Sequence, residues 1–318
     1  MLVSAVIPTF NAAEYLREAI ESVLAQTRLP DEIIVVDDGS TDHTGEVCAS
    51  FGERLKYIYQ ENDGTMGAGS RARAMFEAGG EWIAIMDHDD RWLPAKLERQ
   101  LEAARAFPEA RAILTERRVI NGQGETTFEP ENLSGKAFQL SSHEAFHAFL
   151  RESRYSVSSG LLRRSFLKEH GLTDPARVGV ADWDLWLSVA RHYPLVVVDQ
   201  VLTEYRLFAE QTVSDKRWLA EALQKTLDAQ REHLHPNCAE CRKSFRAGQA
   251  YVAQVFDNAA RVLLDQYHAQ ARDGQLPQAL PFLWRAVKAS PQEILRPRRL
   301  AAISKSYVIG NVKRRQEG

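Results

Sequence analysis

Apolar residues fall into two patterns along this chain. Short, mostly apolar runs at Ser4-Ala5-Val6-Ile7, Glu32-Ile33-Ile34-Val35-Val36 and Leu55 to Tyr59 predict strands, and Trp82-Ile83-Ala84-Ile85-Met86 predicts a strand buried on both faces of a parallel sheet. Between them, apolar residues recur at helical spacing. Leu16, Ala19, Ile20, Val23 and Leu24 make one face of a helix that Asn11 and Glu14 would start as a capping box. A second helix runs to Phe51, with Ser40 or Asp42 as its cap, and a third follows the glycine-rich stretch Gly64 to Ser70. This βαβαβαβ alternation predicts an α/β fold with a doubly wound, mostly parallel sheet.

Beyond Phe107 the pattern loosens. Ala112 to Leu114, Val119-Ile120, Ser156 to Leu162 and Leu195 to Val198 predict short strands, with a turn at Asn121 to Gly124 and irregular chain over 125–140. Ser141 and Glu144 form a second capping box. Trp183, Trp186, Leu187 and Ala190 share one helical face, and Asp182 and Asp184 sit at that helix's positive end. From about Val213 only helical periods remain, in Leu219 to Leu227, Val252 to Tyr267 and Pro277 to Lys288. These place a boundary near 215. Residues 1–215 read as one α/β domain, with halves at 1–105 and 106–215, and residues 216–318 as a helical C-terminal region.

The composition is that of a globular protein: 318 residues, 44% hydrophobic and 26% charged. A net charge of −3 gives no overall pull toward nucleic acid. No apolar run approaches the roughly 18 residues of a membrane span, and the chain begins directly in a strand, without the pattern of a signal peptide. Three cysteines do not make a disulfide framework, so a reducing cytoplasm is expected.

The run Trp82 to Met86 stops in Asp87-His88-Asp89-Asp90. Open α/β sheets bind ligands beyond the carboxyl ends of their strands. Asp87 and Asp89 are two apart there, and paired carboxylates suit Mg²⁺ or Mn²⁺ held together with substrate phosphates. An acidic turn capping the next helix explains this stretch equally well. The same sheet edge collects Pro8-Thr9, Asp37-Asp38 and the glycine-rich loop with Arg71. Together they supply acceptors for a base and ribose, a cation for phosphate and acids for a divalent metal. A nucleoside diphosphate carrying a leaving group fits that inventory.

Several stretches in order resemble the family-two glycosyltransferases, whose fold is called GT-A. They are Val6-Ile7-Pro8-Thr9-Phe10-Asn11, Ser22 to Thr27, Ile34 through Asp42, Gly80-Glu81-Trp82-Ile83 and Asp87 through Pro94. The likeness is close over residues 1–105 and looser over 156–206. It implies an inverting transfer of a sugar from a nucleotide-diphosphate-sugar donor to the hydroxyl of a glycan or lipid-linked acceptor, in surface-polysaccharide or glycoconjugate synthesis. It further implies that Pro8, Thr9, Asp37 and Asp38 serve the nucleotide, with Arg71 near the base or diphosphate. Asp87-His88-Asp89 resembles the family's DxD motif, in which the first acid serves ribose or metal and Asp89 is the main metal ligand, for Mg²⁺ or Mn²⁺. Ala181-Asp182 stands where the family carries Glu-Asp, which makes Asp182 the general base. Ser70-Arg71-Ala72-Arg73-Ala74 lacks the family's Asn and Gly, and Phe208 stands where a His is common. A nucleotide-sugar-binding protein without catalysis and a nucleotidyltransferase are the rival readings.

Two stretches lie outside that resemblance. His233, His235, Cys238 and Cys241 put four possible zinc ligands in nine residues, although two split pairs are the commoner arrangement and Pro236-Asn237 suits a plain turn. Residues 296–315 carry seven Lys or Arg and no acid, with Leu300, Ile303, Tyr307, Val308 and Ile309 between them. That composition suits either a segment lying on an anionic membrane, at its cytoplasmic face, or a solvated terminal helix.

Overall fold

The computed structural model describes residues 1–62, 64–65, 67–171, 181–208, 217–273, 280–281, 283–284, 287 and 294–305. Strands β1 (Val3–Thr9), β2 (Glu32–Asp37), β3 (Lys56–Tyr59) and β4 (Trp82–Ile85) pair in parallel in the order β3-β2-β1-β4. Helices α1 (Ala13–Leu24), α2 (Thr44–Ala49) and α3 (Ala68–Glu77) make the crossovers. The unbroken apolar runs have a simple cause. Ile33 and Val35 face one apolar cluster with Leu16, Ile20 and Val23 of α1, while Ile34 and Val36 face the other with Met75 of α3. A strand covered on both faces has no polar side to alternate with.

After β5 (Arg91–Trp92) and α4 (Lys96–Ala106) the sheet continues through β9 (Gly160–Arg163), β6 (Ala112–Ile120) and β10 (Leu195–Arg206). Strand β9 lies antiparallel to both β4 and β6, whereas β6 and β10 pair in parallel. Two short strands, β7 (Thr126–Phe128) and β8 (Ala137–Leu140), lie on β6 and β10 inside the stretch expected to be irregular. The mostly parallel GT-A-type sheet is therefore present, with helices α5 (Ser142–Arg151), α6 (Arg164–His170) and α7 (Ala181–His192) in its second half.

Several local expectations change. The two short strands at 112–114 and 119–120 are one strand, and Leu195 to Arg206 is another, irregular where the register shifts between Val198 and Thr203. Of the expected strand at 156–162, residues Val157–Ser159 form a 3-10 turn. Asn11 does not cap α1. It takes φ +46 and its Oδ1 accepts from the Thr41 N–H at 2.9 Å, while Thr44 Oγ1 and Asp42 Oδ2 accept the N–H groups of Ala12 and Ala13. The Ser141–Glu144 capping box of α5 is present.

Two helices follow, α8 (Arg217–Ala229) and α9 (Ala239–Arg272). Leu223 and Leu227 of α8 and Phe245 and Val252 of α9 join Phe149, Trp183 and Trp186 in one cluster, so the helices are packed into the α/β core. The far end of α9 builds a separate cluster from Leu263, Leu264 and Tyr267 with Ile294. Most of the expected helix 277–288, and residues 306–318 of the basic tail, lie outside the described residues. Leu300 is exposed and Ile303 packs on that last cluster. Among the described residues no helix is long and apolar enough to cross a membrane.

The four metal-type residues at 233–241 are not gathered into one group. Cys238 and Cys241 are brought together with His143 and His147 of α5, whereas His233 and His235 are not part of that group. His233 lies in a short 3-10 turn and pairs with Glu232.

The sheet also tests close packing. Gly160 opens β9 directly beneath the buried ring of Trp186, and a Cβ there would overlap the ring. Gly160→Ala is expected to destabilise the protein by about 1–3 kcal/mol, the usual cost of overpacking a filled core. A urea denaturation midpoint equal to wild type would show that Trp186 can move aside.

Candidate active site

The carboxyl ends of β1, β2 and β4 open on a cavity of about 570 Å³. Pro8, Thr9, Asp38, Arg71, Asp87 and Asp89 all line it, and so do Asn62, His88 and Tyr205. The β1–β2 register sets Thr9 opposite Asp37, and the Asp38 N–H donates to the Thr9 carbonyl at 2.9 Å. One Asp38 oxygen accepts from Gln60 at 2.6 Å. Thr9 Oγ1 is buried and has no hydrogen-bond partner among the described residues. A buried hydroxyl left in that state costs free energy that a ligand would recover.

Asp37 is not brought to the cavity. Its two oxygens accept from the Ser40 N–H at 2.9 Å and the Tyr57 hydroxyl at 2.6 Å, so it braces the turn that carries Asp38.

Arg71 stands one turn into α3, whose first residues follow Gly67 at φ +86. Its guanidinium donates to Asp87 Oδ1 at 2.7 Å, which ties the glycine-rich loop to the acidic turn. The turn is held from three directions. The Asp87 N–H donates to Ser158 Oγ at 3.0 Å, the Arg206 guanidinium donates to the Asp89 carbonyl at 2.8 Å, and Asp90 Oδ1 accepts the Arg206 N–H at 2.9 Å. Ser158 and Arg206 had no candidate role in the sequence reading. Nothing in a serine 71 positions from its partner marks it, and the burial of Arg206 at the end of β10 is decided by the tertiary structure.

The acids of the turn differ in environment. Asp90 is buried, and burial first, then Asp89 and Asp87, push its pKa well above the ordinary value. Burial likewise raises the Asp89 pKa, with Asp87 adding to it and His88 opposing. Asp89 therefore faces the cavity as a desolvated carboxylate beside another acid, an arrangement that a cation relieves. Two carboxylate donors opening on a phosphate-sized space fit Mg²⁺ or Mn²⁺.

Asp182 lies at the start of α7 and does not line the cavity. Its Oδ1 accepts the Trp183 N–H at 2.8 Å. Burial raises its pKa, while that N–H and Arg71 oppose the shift. Arg71 and Asp87 are among the charges that act on it, so the structure brings Asp182 to the same charge cluster as the acidic turn. Trp183 and Trp186 are fully buried, and their indole N–H groups donate to the Phe149 and Tyr155 carbonyls. They are core residues.

The family model for glycosyl transferase family 2 matches residues 4–171. An uncharacterized glycosyltransferase of Rickettsia prowazekii (strain Madrid E) is 30% identical over 218 residues, which are 67% of this chain and 66% of that protein's length. A glycosyltransferase of Bacillus subtilis (strain 168) named for teichuronic acid biosynthesis is 40% identical over 105 residues, 32% of this chain and 41% of its own. Among solved structures, S. aureus TarS 1-349 superposes with a TM-score of 0.58 at 18% identity, covering 100% of this chain and 92% of that one. The mannosyltransferase PcManGT from Pyrobaculum calidifontis, solved with GDP-Man and Mn²⁺, gives a TM-score of 0.56 at 20% identity, over 98% and 86% of the two chains. At these identities the structures bear on the fold alone.

Proposed function

Because this chain belongs to glycosyl transferase family 2, we propose that it transfers a sugar, with inversion, from a nucleotide-diphosphate-sugar donor to an acceptor hydroxyl in polysaccharide or glycoconjugate synthesis. The observation that carries this reading is the single cavity in which Thr9, Asp38, Arg71, Asp87 and Asp89 meet. TarS is known in complex with UDP and with UDP-GlcNAc, and PcManGT with GDP-Man and Mn²⁺, which supports a donor of this class.

The roles follow from the chemistry. Thr9 and Asp38 offer a hydroxyl and a carboxylate oxygen to a base. Arg71, held by Asp87, presents positive charge to the diphosphate. Asp89 and Asp87 would hold the divalent cation, which when bound offsets the charge that develops on the departing diphosphate. Asp182 accepts the proton of the acceptor hydroxyl as its oxygen attacks the anomeric carbon. Its raised pKa suits a base better than an ordinary surface aspartate would.

A donor-hydrolysis assay over a panel of nucleotide sugars tests the reading. Free sugar with nucleoside diphosphate supports transfer. Nucleoside monophosphate would make the chain a nucleotidyltransferase instead, and neither product across the panel would leave a binding protein.

For the basic tail we propose peripheral contact with an anionic membrane, at about 1 kcal/mol per basic residue near the surface. That contact would suit a lipid-linked acceptor. The intact chain should co-sediment with anionic liposomes at low salt and detach at high salt, and truncation after Pro291 should weaken it. Equal recovery of both forms in the pellet would remove the tail from that role.

A further inference from the structure

The docking of α9 on α5 gathers four side chains that the transfer chemistry does not use. His143 and His147 are one turn apart on α5, so both project from the same face. Their rings stand edge to face, with centroids 4.0 Å apart at 74°. Cys238 caps α9, its Sγ accepting the Cys241 N–H at 3.2 Å, and Cys241 lies in the first turn. His147 Nε2 is 3.2 Å from Cys241 Sγ, and His143 Nε2 is 3.9 Å from Cys238 Sγ. One ligand atom from each of the four lies within 4.8 Å of all the others.

We propose that His143, His147, Cys238 and Cys241 bind one Zn²⁺, as a structural site that fastens α9 to α5. Zinc–sulfur bonds of about 2.3 Å and zinc–nitrogen bonds of about 2.0–2.1 Å in a tetrahedron put neighbouring ligand atoms roughly 3.3–3.8 Å apart. The observed spacings bracket that range, so closure needs only small side-chain movements. Two thiols and two imidazoles are the N₂S₂ set that selects zinc over the hard cations suited to Asp87 and Asp89. Four protein ligands leave no open position, which is the pattern of a structural site and not a catalytic one. The split is also the expected one: an i, i+4 histidine pair and a C-x-x-C pair from two elements, 91 positions apart between His147 and Cys238.

The electrostatics are mixed: burial, then Cys238, pushes the Cys241 thiol up, so the geometry carries the site. The Cys241 N–H, then His143, pull the Cys238 thiol down to about 7, toward the thiolate that a metal requires. Burial and His143 lower the His147 pKa, which keeps its imidazole neutral.

The contact continues away from the ligands. Arg151 Nε donates to Ser244 Oγ at 3.3 Å and its guanidinium pairs with Glu240. Further along, the Leu150 carbonyl approaches Gly248 so closely that a Cβ would not fit. The same α5 accepts the Trp183 indole N–H at the Phe149 carbonyl, next to Asp182. Zinc would thus hold the element that supports the start of α7.

Elemental analysis of the full chain, purified without chelator or metal-affinity resin, tests the site. One zinc per chain is expected, falling to background in His143→Ala/His147→Ala and in Cys238→Ser/Cys241→Ser, and unchanged in His233→Ala/His235→Ala. Should the ligand variants fail to fold, wild type stripped with chelator under reducing conditions serves instead, its melting temperature restored by Zn²⁺ and not by Mg²⁺. Cobalt exchange should give the visible bands and thiolate charge transfer of a tetrahedral S₂N₂ site. Zinc-free wild type that gains no stability from added Zn²⁺, a Cys238–Cys241 disulfide in the purified chain, or zinc loss confined to the His233/His235 variant would overturn the proposal.

Discussion

Asp182→Asn is expected to lower sugar transfer by about 10²–10⁴-fold, the usual cost of removing a general base, with donor affinity kept. Asparagine preserves the shape of the side chain and an oxygen for the Trp183 N–H, so the start of α7 should hold. What is lost is basicity. The wild-type carboxyl is raised above its ordinary value, first by burial and also by Asp87. Transfer should therefore decline as pH falls through that raised pKa, because the protonated acid can no longer accept the acceptor's proton. The residual activity of the asparagine variant should lack this limb. The measurements are kcat against pH for both proteins, and donor affinity by calorimetry. Near-normal turnover would return Asp182 to helix capping, a role worth only about 0.3–1 kcal/mol.

Asp89→Asn is the second large effect. It should abolish the metal dependence of donor binding and weaken donor affinity beyond the roughly 10–100-fold that changes behind a ligand shell cost. The fold should survive. Asp89 shares its turn with Asp87 and the buried Asp90, and burial and Asp87 disfavour a negative charge on it. Removing one charge relieves that repulsion, so the metal-free variant should melt at or above the wild-type temperature. Donor affinity unchanged by EDTA in wild type, or equally EDTA-sensitive in the variant, would take the metal away from Asp89.

Where a segment's partners are near in sequence or dictated by burial, its structure was legible. The runs at 4–7, 32–36, 55–59 and 82–86 became the parallel half of the sheet; three of them are covered on both faces, which writes burial directly into composition, while Lys56–Tyr59 is a largely exposed edge strand. The acids beyond those strands were legible as a group, because in such a sheet every carboxyl end points to one edge. The second half was harder. Leu195 to Arg206 is one strand, but Asp199 and Gln200 at its register shift broke the apolar pattern and made it read as a strand followed by loop.

What only the tertiary structure decided are choices of partner. Asn11 and Glu14 carry a sound capping pattern, yet the loop after β2 reaches α1 first, and Thr44 and Asp42 take the N–H groups. Asp37 and Asp38 are equivalent as letters; neighbouring side chains on a strand end point to opposite sides, so only Asp38 meets the cavity while Asp37 holds Tyr57. Cys238 and Cys241 were visible as a metal-type pair, but the histidines nearest in sequence are not the ones gathered with them. His143 and His147 become their neighbours only when α9 docks on α5. The chain's own order thus determined the parallel strands, the helices between them and which sheet edge would collect the acids, because these follow from local burial and spacing. Which side chains meet there, and which metal-type ligands close on one another, depended on contacts between segments far apart in sequence, and such contacts leave no periodic trace in it.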